Sequence, residues 1–190
     1  MRDESSRTPD ASRRAFLKQA LVALGAMPLA PGWARATQGA SERWLELRNI
    51  HTNEVLRTTF QDASGFVADA LRKLQHLLRD YRSGQEHEID PGLYVQLSEL
   101  ARAAGVAPRY EVISGYRSPA TNSLLHDTGH NVSEHSLHMQ GKAMDVRLRG
   151  YDLAALRDLA LTAKRGGVGY YPHSNFIHID TGRVRKWEGK

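Results

Sequence analysis

The sequence predicts a single α+β domain, residues 37–190, built on a small, mainly antiparallel sheet with flanking helices and preceded by a leader, residues 1–36. Three observations carry that expectation. Short segments alternate apolar and polar residues in pairs separated by turns, as in 44–50 with 55–60 and 168–171 with 176–181. Between them lie longer segments whose apolar residues recur at three and four, the spacing of a helix with one buried face. A chain of 190 residues is also long enough to bury a core without disulfides, and this one has no cysteine.

Taken in order, W-L-E-L-R-N-I at 44–50 reads as a strand, His51-Thr52-Asn53-Glu54 as its turn and 55–60 as the returning strand. His51 suits a polar, exposed place in that turn. Phe66, Ala70, Leu71, Leu74, Leu77, Leu78 and Tyr81 mark an amphipathic helix. The polar stretch 82–88 reads as a loop in which His87 is solvated. Asp90-Pro91 reads as a helix cap followed by the first helical residue, with Leu93, Leu97, Leu100 and Ala101 on one face and Gly105 as the stop. A strand at 110–114 leads into S-G-Y-R-S, and Pro119 starts a brief helix to about Leu125. Residues 127–134 are polar, contain Gly129 and read as a surface loop. The stretch 142–148 alternates again, with Met144, Val146 and Leu148 on one face and Asp145 and Arg147 on the other. Asp152 caps a helix over 153–164, which Gly166-Gly167 would end, and two strands joined by Pro172-His173-Ser174-Asn175 follow.

Composition removes several classes of function. Without cysteine there are no thiolate metal sites and no thiol nucleophile. The formal charge of +5 is uneven: residues 1–36 hold six Lys/Arg against three Asp/Glu, and the remaining 154 hold 20 against 18. The domain itself is therefore close to neutral, and nucleic acid is not an expected partner.

The leader has the layout of a bacterial export signal. Ser12-Arg13-Arg14-Ala15-Phe16-Leu17-Lys18 is followed by an apolar run over 20–30 and by Ala34-Arg35-Ala36, a small-x-small cleavage pattern. The arginine pair resembles a twin-arginine signal, which implies export of an already folded protein to the periplasm and a mature chain from about Thr37. The run is too short for a permanent span, and no cysteine follows it, so no stable membrane anchor is expected.

The chemistry concentrates in S-L-H-M-Q-G-K-A-M-D, residues 136–145, and in F-I-H-I-D, residues 176–180. His138, Asp145 and His178 make a sound three-ligand set for zinc, with a fourth position left for water. Strand alternation sends Asp145 away from Met144 and Val146, and His178 away from Ile177 and Ile179. If the two strands are neighbours, the ligands converge; Gly141 lets the loop carrying His138 turn back. Singly, each has an ordinary alternative: a hydrogen-bonded histidine, or an aspartate in an ion pair.

S-x-H-x-x-G-x-A-x-D, followed by G-V-G-Y-Y and F-I-H-I-D-T-G-R, resembles the zinc peptidases that cut D-amino-acid-containing bonds of peptidoglycan. S-G-Y-R-S and the H-T-x-E turn extend the likeness, over essentially the whole mature chain, to exported MepK-like murein endopeptidases. The resemblance implies a hedgehog/D-Ala-D-Ala peptidase-like fold, a zinc cofactor and peptidoglycan as partner. It implies His138, Asp145 and His178 as metal ligands and Arg117 as the cation that steadies the substrate carbonyl or its oxyanion. Ser136 would support the ligands rather than act as nucleophile.

The general base departs from the family pattern. Where dipeptidases of this group have glutamate three residues before the last ligand, this chain has Asn175; where others have a histidine two before it, this chain has Phe176. The substitutes are Asp180, either as base or as a carboxylate orienting a ligand, and His173 in the preceding loop. His126, His130 and His135 would face solvent or line the substrate entrance, and Tyr171 and Trp187 would pack or edge a peptide groove. The expected activity is that of an exported zinc-dependent peptidoglycan hydrolase cutting a stem or cross-link peptide bond. Hedgehog signalling domains share the fold and zinc site without clear peptidase action, so the rival is a catalytically silent module that binds cell wall or a protein partner. A hydrolase of another exported D-amino-acid peptide is the third reading.

Overall fold

The computed structural model describes residues 42–128 and 132–189. The leader, the expected start at Thr37, Gly129 and His130 lie outside the described residues. The described chain forms four α-helices and one eight-stranded sheet: β1 (Arg43–Asn49), β2 (Val55–Asp62), β3 (Gly65–Phe66), α1 (Ala68–Leu77), α2 (Pro91–Ala103), β4 (Arg109–Ser114), α3 (Pro119–Asp127), β5 (Ala143–Leu148), α4 (Leu153–Ala163), β6 (Gly167–Tyr171), β7 (Phe176–Asp180) and β8 (Arg185–Glu188). The sheet order is β3-β2-β1-β4-β5-β7-β6-β8. Only β1/β4 and β6/β8 run parallel, so the α+β, mainly antiparallel expectation holds, with a larger sheet than expected.

Local chemistry sets the helix starts. Asp90 accepts from the Gly92 amide and Asp152 from the Ala155 amide, which satisfies donors that the first turn leaves unpaired. Several helix ends differ from expectation: α1 leaves Phe66 to β3 and stops before Tyr81, and α3 runs on to Asp127. Lys164 adopts the left-handed conformation (φ 50°) and closes α4, while Gly167 already belongs to β6.

One face of the sheet is apolar. Leu45 and Leu47 of β1, Tyr110 and Val112 of β4, Met144, Val146 and Leu148 of β5, and Ile177 and Ile179 of β7 are buried there. They meet Leu74 and Leu77 of α1, Leu93, Tyr94 and Leu97 of α2, and Leu156 of α4. The period of two then leaves Asp145, Arg147 and His178 on the opposite face, which these helices do not cover. Arg147 pairs there with Glu111 of β4 at 2.5 Å. The core and the site are thus two faces of the same strands.

Candidate metal centre

β5 and β7 are neighbours in the sheet, and Asp145 and His178 are direct cross-strand partners. That register brings their side chains together on the open face. His138 arrives from a 3-10 turn, Leu137–Gln140, where the His138 amide donates to the Ser136 hydroxyl at 3.4 Å. Gly141 closes the turn at φ +64°, and a Cβ there would collide with the Glu88 carbonyl oxygen, so only glycine fits.

The three side chains are buried and present one atom each to a common centre. His138 Nε2 lies 3.2 Å from Asp145 Oδ1 and 3.2 Å from His178 Nδ1, and His178 Nδ1 lies 2.9 Å from Asp145 Oδ1. The other nitrogen of each ring is engaged. His138 Nδ1 donates to the Gly115 carbonyl at 2.7 Å, and His178 Nε2 donates to Asp180 Oδ2 at 3.3 Å. With those protons placed outward, the inward nitrogens carry lone pairs. Burial alone would raise the Asp145 carboxyl, but the two imidazoles hold it well below the usual carboxylate range. Burial pushes His138 down, against the pull of Asp145; His178 is also desolvated, but two carboxylates, Asp145 and Asp180, raise it overall.

Asp180 is behind His178, on the far side of the ring from the ligand atoms. It is fully buried. Its Oδ1 accepts from the Gly167 and Gly182 amides, both at 2.8 Å, and Arg185 grips the carboxylate at 3.1 and 2.6 Å. Burial raises this carboxyl too, but His178, Arg185 and the two amides pull it far below its ordinary value. A carboxylate so committed is a poor proton acceptor. Of the two roles expected for Asp180, this placement is the one that orientation of His178 would require. His173, the other base candidate, is exposed in the β6–β7 turn, and the groove is lined there by Ser174 and Phe176 instead.

Arg117 does reach the centre. It is 8% exposed, its Nη2 lies 3.7 Å from Asp145 Oδ2, and it donates to Asn122 Oδ1 and Ser114 Oγ, both at 3.4 Å. Desolvation pulls its pKa down and Asp145 opposes the pull, leaving a guanidinium that stays charged.

The ligand atoms open into a groove of about 910 Å³, large enough for several residues of a peptide. Arg117, His135 and Ser136 line it together with Tyr171 of β6 and Trp187 of β8. Trp187 donates its indole N–H to the Tyr171 hydroxyl at 2.9 Å, and Tyr171 stacks on Phe176 at 4.5 Å. The Tyr171 hydroxyl thereby keeps its own proton to give. His126 stays exposed outside the groove.

Sequence reasoning did not single out Arg185, Asn122 or the Gly115 carbonyl. Arg185 had one usable signal: R-K-W-E places it on the same strand face as Trp187. Asn122 lies in α3, whose short apolar pattern does not mark a polar residue as an arginine partner, and Gly115 belongs to a loop without periodicity.

Residues 37–187 match the family described as peptidoglycan L,D-endopeptidase MepK of the M15 peptidases. The chain is 45% identical over 179 residues to the peptidoglycan L,D-endopeptidase MepK of Escherichia coli strain K12, covering 94% of this chain and 98% of that protein. It is 39% identical over 181 residues to a probable peptidoglycan L,D-endopeptidase MepK of Haemophilus influenzae, covering 95% and 97%.

Proposed function

The chain belongs to the M15 peptidase family of peptidoglycan L,D-endopeptidase MepK, and from that membership we propose that it hydrolyses an L,D peptide bond in peptidoglycan cross-links with zinc held by His138, Asp145 and His178. One observation carries the metal reading. Two imidazole nitrogens and a carboxylate oxygen face one another at 2.9–3.2 Å in a buried centre, an arrangement that needs a proton or a metal cation among them. The outward ring N–H bonds to the Gly115 carbonyl and Asp180 leave the inward nitrogens able to take a metal. Tetrahedral zinc with bonds of about 2.0–2.1 Å holds neighbouring ligand atoms about 3.3 Å apart, close to this spacing.

Bound zinc supplies Lewis acidity toward a carbonyl oxygen and a lowered pKa for water. The protein supplies the rest. Asp180 and the Gly115 carbonyl hold the ring protons of His178 and His138 outward, so both ligand nitrogens stay available. Arg117 places a fixed cation beside the ligands, where charge develops on a scissile carbonyl, and its cost of burial is met before substrate arrives. Among the described groove-lining residues, His135 is the imidazole outside the ligand set, and it replaces His173 as the candidate to take a proton.

Residues 37–190 are expected to bind one zinc per chain. Chelation should abolish cleavage of purified sacculi and added zinc should restore it; full activity of the zinc-free protein would remove the metal from this reading.

Export by the twin-arginine route to the periplasm belongs to the same proposal, supported by Arg13-Arg14 and the apolar run behind them. Among the described residues no helix is long and apolar enough to cross a membrane. A folded reporter behind residues 1–36 should reach the periplasm, and replacing Arg13 and Arg14 by lysine should stop it; unchanged export would refute that route.

A further inference from the structure

Arg117 is held by a residue from a distant part of the chain. Asp80 follows α1 and is 2% exposed. Its Oδ2 accepts from both the Ser118 hydroxyl (2.6 Å) and the Ser118 amide (3.0 Å), and its Oδ1 accepts from the Arg82 amide at 3.0 Å. Among the described residues no cationic nitrogen lies within ion-pair distance of it; hydrogen bonds hold its carboxylate directly, and Arg117 feels its charge only at longer range. Burial raises this carboxyl, yet the Ser118 and Thr121 hydroxyls and the two amides bring it down to about 2.

Ser118 passes the anchorage on. With its proton committed to Asp80, its oxygen accepts the Thr121 amide at 3.2 Å and caps α3. α3 carries Asn122, which holds Arg117 Nη1. The same segment lies hard against the end of α1: the Tyr116 amide donates to the Leu78 carbonyl at 2.8 Å. A Cβ on Gly115 would sit 2.5 Å from the Leu78 oxygen. The Gly115 carbonyl is the one that fixes the tautomer of His138, and the Arg117 amide donates to the His138 carbonyl at 3.2 Å.

We infer that Asp80 is a positioning residue for the hydrolysis proposed above: by anchoring Ser118 it sets the 115–122 turn that holds Arg117 beside Asp145. This inference rests on that functional reading for its kinetic part only. An amide cannot replace the carboxylate. Asparagine has one acceptor oxygen, and in either flip its NH₂ meets N–H or O–H donors, from Ser118 or from Arg82.

The test is a double-mutant cycle with structures of the zinc-loaded variants. Asp80→Asn should lower kcat by about 10–100-fold with KM nearly unchanged, as expected for a misplaced catalytic group. Combined with Arg117→Ala it should add less than about threefold to the loss from Arg117→Ala alone, because both changes remove one interaction. Asp152→Ala, which weakens the cap of α4, serves as a control for destabilisation and should keep kcat. The crystal structure of Asp80→Asn should show the 115–118 segment displaced and the contact of Arg117 with Asp145 lost, whether or not the protein turns over peptidoglycan. Additive kcat losses, a kcat loss in Asp152→Ala at equal thermal destabilisation, or an undisplaced Arg117 would each overturn the inference.

Discussion

His178→Ala is expected to lose zinc at micromolar free metal and to lower kcat/KM on cross-linked muropeptides by about 10³-fold or more, the scale expected when the element generating the nucleophile is removed. His178 gives one of three ligand atoms, and no neighbouring donor can take its place: Asp180, its partner, is already bound to Arg185 and to the Gly167 and Gly182 amides. For the same reason the fold should survive. Asp180 keeps those partners, Asp145 keeps His138 and Arg117, and the core face of β7 is made by Ile177 and Ile179. Metal analysis, circular dichroism and steady-state kinetics separate these effects. His173→Ala, one turn of chain away but exposed and outside the groove, should behave as wild type; a loss comparable to that of His178→Ala would restore it as a base.

The second large effect is at Arg117. Arg117→Ala should lower kcat by about 10²–10³-fold, the usual cost of removing one preorganised oxyanion donor, while zinc stoichiometry stays at that of wild type. The two readouts are expected to part because Arg117 lies 3.7 Å from Asp145 Oδ2, while the ligand atoms meet at Oδ1. Lysine should recover little, because Asn122 and Ser114 hold a planar fork rather than a point charge. Loss of zinc in Arg117→Ala together with activity would instead make it a structural support of the metal site.

The parts of the site that were legible in the sequence are those governed by local periodicity. A repeat of two residues is enough to place Asp145 opposite Met144 and Val146, and His178 opposite Ile177 and Ile179. It cannot say that β5 and β7 are neighbours, nor that their register pairs these two residues. The helix starts at Asp90 and Asp152 were readable because capping is settled within one turn. β3, with two residues, and β8, whose Arg185–Glu188 contains one strong strand former, were too short to signal themselves. The end of α4 was read to within one residue, but its cap was assigned to Gly166-Gly167 because Lys164 takes a left-handed conformation more often filled by glycine. For Asp180, strand phase gave the correct face but not the side of the His178 ring, which depends on side-chain torsions. His135 and His173 both lie exposed in irregular segments, where spacing gives no direction, and only tertiary placement sets the first and not the second along the groove.

The most direct measurement is digestion of purified sacculi by residues 37–190, zinc-loaded and chelated, beside His178→Ala, with the muropeptides resolved by mass spectrometry. Disappearance of L,D-cross-linked dimers and appearance of the matching monomers with the zinc-loaded protein alone is the expected result. Unchanged muropeptides from a protein with confirmed zinc at His138, Asp145 and His178 would contradict it, and would leave a metal-bearing module that binds the cell wall without cutting it.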